Sequence, residues 1–323
     1  MRVLVTEPIH ESGLRFLRRH FEVIEGNTRN EAELCQQIED CAGLLVRTAH
    51  ITENIVAAGT ALRCIAKHGV GVDNVDLNAA TRRGIKVVNA PFSNCNAVAE
   101  HTLGFMLALL RQTSQVDTAV RQGRYEAVRA KIRLGELTGK TVGLVGFGRV
   151  PQRLAELLHP FRTAVMAYDP YVSERVFAEH QVRRCETLRE VLEHADIVSI
   201  HVPLSVESRH LINAETLATM KQGAWLVDTA RGGIVDEAAV VEALTSGALA
   251  GAAFDVFEQE PPEADNLLFS CEKTLLSPHA AALTAEALEN MAVQAAENLT
   301  AVLQGREPTS CVNAKALATL HGA

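Results

Sequence analysis

Two glycines and an aspartate have the types and spacing of a site for a dinucleotide. Gly146 and Gly148 follow an apolar run and precede a helical pattern, and Asp169 ends a second apolar run about 20 residues later. In a βαβ unit of this kind the first glycine permits a tight turn. The second lets the backbone approach a pyrophosphate, which the N–H groups of the helix start bind. The carboxylate of Asp169 would accept hydrogen bonds from the adenosine ribose and repel a 2'-phosphate, which favours NAD over NADP.

The glycine pattern departs from its usual form at the third position, where Pro151 replaces a glycine. A proline is tolerated in the first turn of a helix, because the N–H groups there lack partners within the helix. We therefore expect the dinucleotide to bind, with the helix slightly displaced. The glycines also fit an ordinary strand-to-helix turn, and Asp169 before Pro170 also fits a turn residue, so both interpretations stay open at this stage.

Several apolar runs that we predict to be strands end in a polar residue. The residues at or just after these runs are Asp169, Arg231, Asp255 and His279. Ligands of open α/β sheets bind outside the carboxyl ends of the strands, so these residues form a candidate site. Taken singly, each has a simpler interpretation, such as a surface ion pair for Arg231 or a strand-end cap for Asp255.

A second glycine-rich turn lies in the first part of the chain. Residues 67–74 read Lys-His-Gly-Val-Gly-Val-Asp-Asn after a short apolar run, and Arg47 ends an earlier run. Consecutive backbone N–H groups in such a turn suit a carboxylate. Glycine can also serve the geometry of the turn alone.

Apolar runs and helical patterns alternate along the chain, which predicts parallel α/β sheets. A loop at residues 92–96 is the predicted domain boundary. Residues 97–122 form one long helical pattern whose apolar surface would pack against the core or against a second subunit. Residues 285–303 predict an amphipathic helix that we expect to return to the first domain, and the residues from Val312 onward predict a tail.

The composition is that of an ordinary globular protein. The 323 residues are 47% hydrophobic with a formal charge of −8, and the isoelectric point is near 5.9. This acidic balance argues against binding to nucleic acid or to an anionic membrane. The sequence starts without a signal peptide and has no apolar run long enough to span a bilayer, so we expect a cytoplasmic protein. Seven scattered cysteines without a CxxC pair predict reduced thiols, and we expect no metal.

Several motifs in a consistent order resemble one enzyme family. They are residues 69–74, 94–100, 146–151 with Asp169, 229–233, 255–257 with Glu260 and Pro261, and 277–279. With these motifs the chain resembles the D-isomer-specific 2-hydroxyacid dehydrogenases, which include phosphoglycerate dehydrogenases and glyoxylate and hydroxypyruvate reductases. The resemblance extends over nearly the whole length.

The resemblance implies a catalytic set of Arg231, Glu260 and His279. In such enzymes the histidine exchanges a proton with the C2 oxygen of the substrate while a hydride passes between C2 and the nicotinamide. The glutamate holds the imidazole and favours its protonated form, and the arginine binds the substrate carboxylate. These roles fit the side chains, because imidazole titrates near neutral pH and a planar guanidinium matches a carboxylate.

The resemblance also implies which residues bind the cofactor and the substrate. The residues expected around NAD are Gly146, Gly148, Arg149, Val150, Asp169, Val202, Pro203, Thr229, Ala230, Arg231, Asp255 and His279. Those expected around the substrate are Arg47, Val70, Gly71 and Arg231. The implied substrate is a small 2-keto or 2-hydroxy acid, phosphoglycerate-like or hydroxypyruvate-like.

The implied fold class is α/β with two parallel-sheet domains, a flavodoxin-like substrate domain and a Rossmann dinucleotide-binding domain. The predicted substrate domain comprises residues 1–96 and 287–323, and the NAD-binding domain comprises residues 97–286. The resemblance leads us to expect a homodimer. Because the sequence ends soon after the returning helix, we expect no C-terminal regulatory domain.

Two other functions stay open. Transcriptional corepressors resemble this family and use the same fold to sense NAD(H), although this sequence has no charged extension or basic localisation run. The other alternative is an inactive relative, which is suggested by Pro151.

Overall fold

The computed structural model describes residues 1–321, which form two compact units. The first unit contains residues 1–94 and 283–321, and the second contains residues 95–282. The boundaries expected from the sequence, after residues 96 and 286, lie two and four residues further along the chain. Both crossings fall just before a long helix begins.

Strands and helices alternate along the described residues. The strands are β1 (Arg2–Val5), β2 (Glu22–Glu25), β3 (Cys41–Val46), β4 (Cys64–Lys67), β5 (Lys86–Val88), β6 (Thr141–Val145), β7 (Ala164–Tyr168), β8 (Arg183–Arg184), β9 (Ile197–Ile200), β10 (Ala224–Asp228), β11 (Leu249–Phe254) and β12 (Thr274–Leu276). The helices are α1 (Glu11–Arg18), α2 (Glu31–Ile38), α3 (Glu53–Ala58), α4 (Leu77–Arg82), α5 (Cys95–Arg111), α6 (Thr113–Arg121), α7 (Tyr125–Lys131), α8 (Arg149–Leu158), α9 (Glu174–Glu179), α10 (Leu188–His194), α11 (Ala214–Leu217), α12 (Glu237–Ser246), α13 (Ala285–Leu303) and α14 (Ala314–His321). Two short 3₁₀ helices cover His159–Phe161 and Leu267–Ser270.

The first unit is built on a five-stranded parallel sheet in the order β2-β1-β3-β4-β5. This is the strand order of flavodoxin-like folds. Successive residues of a strand face opposite sides of the sheet, so the side chains of β1 pack into two different hydrophobic cores. Val3 and Val5 pack with residues of α1 and α13, whereas Leu4 packs with residues of α2, α3 and α4.

The second unit is built on a seven-stranded parallel sheet in the order β12-β11-β10-β9-β6-β7-β8. Helices α5 and α8 cover one face around Leu144, and α10 and α12 cover the other around Val145. The chain proceeds outward in opposite directions from β6 and β9. Dinucleotides bind at the carboxyl ends of strands at such a switch point. The predicted α/β fold with two parallel-sheet domains is confirmed.

The single long helix predicted over residues 97–122 is wrong. Helix α5 ends at Arg111, and Gln112 adopts the left-handed conformation with φ +46° before α6 begins. Residues 111–115 read Arg-Gln-Thr-Ser-Gln and contain neither glycine nor proline, so no strong signal in the sequence marks the break.

The tail predicted from Val312 onward is also wrong, because the chain forms α14 there. Its start is anchored to β5 by Asn313, whose Oδ1 accepts a hydrogen bond from Val87 N at 2.9 Å. Asn313 Nδ2 donates to Ile85 O at 2.9 Å. Both contacts join residues more than 200 positions apart in the sequence, so local pattern could not predict them.

Candidate active site

The turn after β6 requires glycine at one position and leaves open space at another. Gly146 has φ +94°, and a Cβ atom there would lie 2.7 Å from the carbonyl oxygen of His201. A side chain at this position would therefore be strained and would collide with the loop after β9. A Cβ atom at Gly148 would meet nothing within 4 Å. The turn is thus tight at Gly146 and open at Gly148, as binding of a pyrophosphate requires.

Helix α8 begins directly after this turn, with Gly148 as its N-cap. Its first hydrogen bond runs from Gln152 N to Gly148 O at 3.1 Å. Pro151 is buried in the first turn, where its missing N–H costs no helical hydrogen bond. The helix therefore forms in spite of the proline, and Arg149 and Val150 are its first two residues.

Asp169 follows β7, and its carboxylate accepts hydrogen bonds from two backbone amides. Its Oδ2 accepts from Phe147 N at 2.8 Å, within the glycine turn. Its Oδ1 accepts from Tyr171 N at 2.9 Å, which is the local turn contact that the sequence also allowed. A carboxylate offers about four acceptor sites, so Asp169 can still accept from ribose hydroxyls.

The loop after β9 borders the glycine turn. Val202 lies close to Gly146, because its Cγ1 would be 3.0 Å from a Cβ atom there. The carbonyl oxygen of Pro203 accepts a hydrogen bond from Ser208 Oγ at 2.7 Å. The structure therefore brings these two predicted cofactor residues to the same sheet edge as the glycines.

The loop after β10 carries Arg231. Thr229 is buried, and its hydroxyl lies 2.9 Å from that of Thr102 on α5. Ala230 N donates to Asp228 Oδ1 at 2.8 Å, and Arg231 Nη1 donates to Ala230 O at 2.7 Å. The loop is therefore held at both its buried threonine and its strand end.

Gly232 brings this loop into close contact with the backbone after β11. A Cβ atom at Gly232 would lie 1.6 Å from the carbonyl oxygen of Phe257. No other residue fits without moving one of the two segments. Because Phe257 N also donates to Glu260 Oε1 at 3.2 Å, the Arg231 loop and the Glu260 loop meet at this point.

His279 and Glu260 form a hydrogen-bonded pair. His279 Nδ1 lies 2.7 Å from Glu260 Oε2, and the two side chains are 46% and 36% exposed. Burial alone would raise the pKa of Glu260, but the hydrogen bond and charge of His279, the Phe257 amide and the charge of Arg231 together lower it. Glu260 is therefore ionised at neutral pH and faces the imidazole. The Glu260–Pro261 peptide bond is cis.

Asp255 holds the segment that carries His279. Its backbone oxygen accepts from His279 N at 2.7 Å. Its carboxylate accepts from Ala280 N at 2.7 Å, from Ala281 N at 2.9 Å and from the hydroxyl of Ser277. His279 itself has φ +51°, a conformation that a residue other than glycine keeps only when its surroundings enforce it. Asp255 provides these constraints, which is the strand-end role that the sequence left open.

In the first unit, Arg47 follows β3 and is held through its backbone. Arg47 N and Thr48 N donate to the Glu7 carboxylate at 3.2 and 2.9 Å. The Lys67 ammonium donates to Arg47 O, and to Asn74 Oδ1 at 2.8 Å. Because β3 and β4 are adjacent, Arg47 and the glycine-rich turn after β4 lie at the same sheet edge.

The two predicted substrate residues of that turn are accessible. Val70 is 38% exposed, and its carbonyl oxygen accepts from Asn89 Nδ2 at 2.6 Å. Gly71 is half-buried, and Gly69 before it has φ +137°. The positive φ shows that the geometry of the turn itself requires a glycine at position 69.

The residues of the second unit fit a dinucleotide. The space at Gly148, the start of α8 and the acceptor capacity of Asp169 match the pyrophosphate and the ribose. His279 and Glu260 lie after other strands of the same sheet, at its carboxyl edge.

Three residues with a part in this geometry were not predicted from the sequence: His101, Asp228 and Glu7. His101 Nε2 lies 3.1 Å from Ser277 Oγ, and Asp228 and Glu7 anchor the loops of Arg231 and Arg47. His101 and Glu7 act on residues that follow other strands, whereas Asp228 acts on the loop directly after its own strand. Only the position of Asp228 and Glu7 at or near a strand end could have indicated them.

Residues 1–321 show neither a metal centre nor a membrane-spanning helix. No cluster of three or more His, Cys, Asp or Glu side chains there could hold a metal ion. No helix in this part of the chain is long and apolar enough to cross a membrane.

Comparison with known proteins assigns the family. A model of the "D-isomer specific 2-hydroxyacid dehydrogenase, NAD binding domain" matches residues 103–281, which lie in the second unit. The D-3-phosphoglycerate dehydrogenase of Methanocaldococcus jannaschii is 37% identical over 314 residues, which is 97% of this chain and 59% of that protein. The glyoxylate reductase of Thermofilum pendens is 40% identical over 98% of this chain and 95% of that protein. The chain thus spans little more than half the length of the phosphoglycerate dehydrogenase.

Solved structures share the fold along the chain. The TT0316 protein of Thermus thermophilus superposes with a TM-score of 0.88 at 36% identity, covering 97% of this chain and 100% of that one. An NADPH-dependent glyoxylate/hydroxypyruvate reductase of Sinorhizobium meliloti superposes with a TM-score of 0.84 at 30% identity, covering 96% of each chain. The chain belongs to the D-isomer specific 2-hydroxyacid dehydrogenase family, and its second unit contains the NAD-binding domain.

Proposed function

We propose that this protein is an NAD(H)-dependent oxidoreductase that interconverts a small 2-keto acid and its D-2-hydroxy acid. The observation that carries the proposal is the 2.7 Å contact between His279 Nδ1 and Glu260 Oε2 in the unit that contains the NAD-binding domain. This contact engages one imidazole nitrogen and directs the proton chemistry to the other, Nε2. Arg231, in the loop that touches the Glu260 segment, provides a cation for the substrate carboxylate.

His279 and Glu260 would act together as a proton donor and acceptor. Nδ1–H donates to Glu260, which fixes the orientation of the ring. In the direction of reduction, the protonated imidazole donates from Nε2 to the C2 oxygen as negative charge develops there. In the direction of oxidation, the neutral Nε2 accepts the hydroxyl proton. The ionised Glu260, whose pKa is lowered by its contacts with His279, stabilises the imidazolium.

Arg231 would orient the substrate. Its planar guanidinium can bind both oxygens of the carboxylate, which places C2 and its oxygen in a defined direction. The nicotinamide, when bound, supplies or accepts the hydride at C2. We propose that Val70 and Gly71 bind the substrate through their backbone N–H groups, as the family resemblance implies.

We further propose that the cofactor is NAD rather than NADP. The family model names NAD, yet one relative in the family is described as NADPH-dependent, so the fold alone does not set the preference. Asp169 supports NAD because its charge would repel a 2'-phosphate. Asp169→Ala should weaken the preference for NADH over NADPH by about 10-fold or more, measured as a ratio of kcat/KM values. An unchanged ratio would contradict this role of Asp169.

The proposed substrate is phosphoglycerate-like or hydroxypyruvate-like. Arg47 and Lys67 are two cationic residues at the ends of the adjacent strands β3 and β4, which suits an acid with a second polar or anionic group. Relatives named for phosphoglycerate and for glyoxylate are similar to the chain at 37% and 40% identity, so identity does not choose between these substrates.

A homodimer is the proposed assembly. Helix α7 has no buried residue and α6 has only Ala119, while Val120 and Tyr125 are 47% and 51% exposed. Apolar side chains in so exposed a segment suit coverage by a second copy. Light scattering on the purified protein would test this, and a monomer at micromolar concentration would contradict it.

The central test is turnover of NADH with glyoxylate, hydroxypyruvate and phosphohydroxypyruvate, followed by absorbance. His279→Ala should lower kcat by at least about 100-fold, because it removes the proton donor. Its NADH affinity, measured by fluorescence, should change little. Equal losses in both quantities would contradict the acid–base role. Absence of turnover in the wild type with intact NADH binding would favour a corepressor-like sensor or an inactive relative.

A further inference from the structure

We infer that His101 of α5 is a positioning residue for His279, which it influences through Ser277 and Asp255. The inference rests on the proposed function, since His279 is there the proton donor. It assigns a role to a side chain that lies 178 positions earlier in the sequence than the residue it positions.

A chain of hydrogen bonds connects the two histidines. His101 Nε2 lies 3.1 Å from Ser277 Oγ, and the Ser277 hydroxyl donates to Asp255 Oδ1. A serine hydroxyl has a single hydrogen, and a carboxylate only accepts. Ser277 must therefore accept from His101, which places a proton on Nε2 of that imidazole. His101 Nε2 is also 3.8 Å from Asp255 Oδ1, so the same N–H points toward the carboxylate.

The carboxylate at the end of this chain determines the path of the backbone at His279. Asp255 Oδ1 also accepts from Ala280 N, and Oδ2 accepts from Ala281 N. A rotation of the carboxylate would break at least one of these bonds. The backbone of His279 has φ +51°, which is unfavourable for a histidine without such constraints. Loss of the His101 donor should therefore let the segment relax and move the imidazole from Glu260.

The side chain of His101 is itself held in place by its neighbours. Its ring packs edge-on against Phe105 with 4.4 Å between the centroids, and its side chain is only 27% exposed. The next residue, Thr102, hydrogen-bonds to Thr229 in the loop that carries Arg231. One turn of α5 thus contacts both the loop that carries Arg231 and the segment that carries His279.

The test compares His101→Leu with His101→Gln. Leucine keeps most of the volume and removes the donor, whereas the side-chain amide of glutamine can donate from a position similar to Nε2. The leucine variant should lower kcat by about 10- to 100-fold, because small displacements of a catalytic group have effects of this size. The glutamine variant should stay within about threefold of the wild type. NADH affinity should be unchanged in both, and His194→Leu, an exposed histidine of the same unit, serves as the control.

Two further measurements separate this role from simple packing. The loss in the double variant His101→Leu with Ser277→Ala should be smaller than the product of the single losses, because both act through one chain of contacts. Crystal structures of the variants should show a longer distance from His279 Nδ1 to Glu260 Oε2 in His101→Leu than in His101→Gln.

The outcomes that overturn the inference are distinct from those that overturn the proposed function. An active wild type with undiminished kcat in His101→Leu, equal losses in the leucine and glutamine variants, or fully multiplicative losses would each overturn it. If the wild type reduces no keto acid, the proposed function fails. The crystallographic distance still decides whether His101 positions His279.

Discussion

Glu7 in the first unit and Asp228 in the second are buried carboxylates at or near the ends of parallel strands, and their pKa values move in opposite directions. Burial alone would raise the pKa of Glu7, but hydrogen bonds lower it. The five donors are the amides of Arg47, Thr48 and Ala49 and the hydroxyls of Thr6 and Thr48. Asp228 is 1% exposed and accepts from Ala230 N, and burial raises its pKa to about 7. The charge of a buried strand-end carboxylate therefore depends on whether its hydrogen-bond donors outweigh the effect of burial, which they do at Glu7 and do not at Asp228.

The strand-end carboxylates also differ in how they hold the neighbouring loops. Glu7 and Asp255 each accept from several amides of one loop, which carries Arg47 in the first case and His279 in the second. Asp228 accepts from the amide that precedes Arg231. We infer that Glu7 stays ionised across the neutral range, while the charge of Asp228 beside the Arg231 loop changes there.

The largest effect should come from Glu7→Ala. The amides of residues 47–49 all donate to one oxygen of Glu7, and alanine removes that acceptor, so all three would lose their partner in a buried place. The free energy of unfolding should fall by about 3–5 kcal/mol, measured with urea. The KM for the keto acid should rise, because the Arg47 loop loosens.

The same variant also tests the direction of the Glu7 pKa. Because that pKa is lowered from 4.5 in the folded state, the stabilisation by Glu7 is present above pH 4.5 and is lost as the pH falls through the folded value. The difference between wild type and variant should therefore shrink in acid. Glu33→Ala, at an exposed position of the same unit, is the control and should change stability little.

The next effect should come from Asp255→Asn. The asparagine side chain has one acceptor oxygen, so either the Ala281 amide or the donors of Ser277 and Ala280 would lose their partner. The segment of His279 should shift, and kcat should fall by about 100-fold in steady-state assays. A variant with full kcat would show that this loop, unlike that of Glu7, does not need its carboxylate. Asp265→Asn, which is exposed, should behave as wild type.

The smallest effect should come from Asp228→Asn, and its effect on the free energy of unfolding depends on pH. The folded state raises the pKa of Asp228 from 3.8 to about 7, so the protonated form favours folding and the stability it contributes is lost as the pH rises toward 7. Asparagine keeps the acceptor for Ala230 N but does not titrate. The free energy of unfolding of the variant, taken relative to that of the wild type, should therefore rise by on the order of 2 kcal/mol between pH 5 and pH 8. A constant difference across this range would show that Asp228, like Glu7, is ionised throughout.

Much of the cofactor site could be predicted from the sequence, because its signals are local. Gly146, Gly148 and Asp169 lie within one βαβ unit, and a tight turn, an open space and a strand-end acid each depend on neighbours along the chain. Sequence reasoning also allowed for Pro151, since its tolerance follows from its place in the first turn of a helix. The pairing of Arg231, Glu260 and His279 came only from the family resemblance.

Only the tertiary structure shows the contacts between segments that are distant in the sequence. His101 has no partner in its neighbour Glu100, because adjacent residues do not share a helix face, and its partner Ser277 lies 176 residues away. Glu7 is in the sequence an ordinary residue near a strand end, yet the amides that it holds belong to residues 47–49. The physical reason is that periodicity and turn chemistry act over a few residues, whereas a parallel sheet brings the ends of strands that are far apart in the chain to one edge.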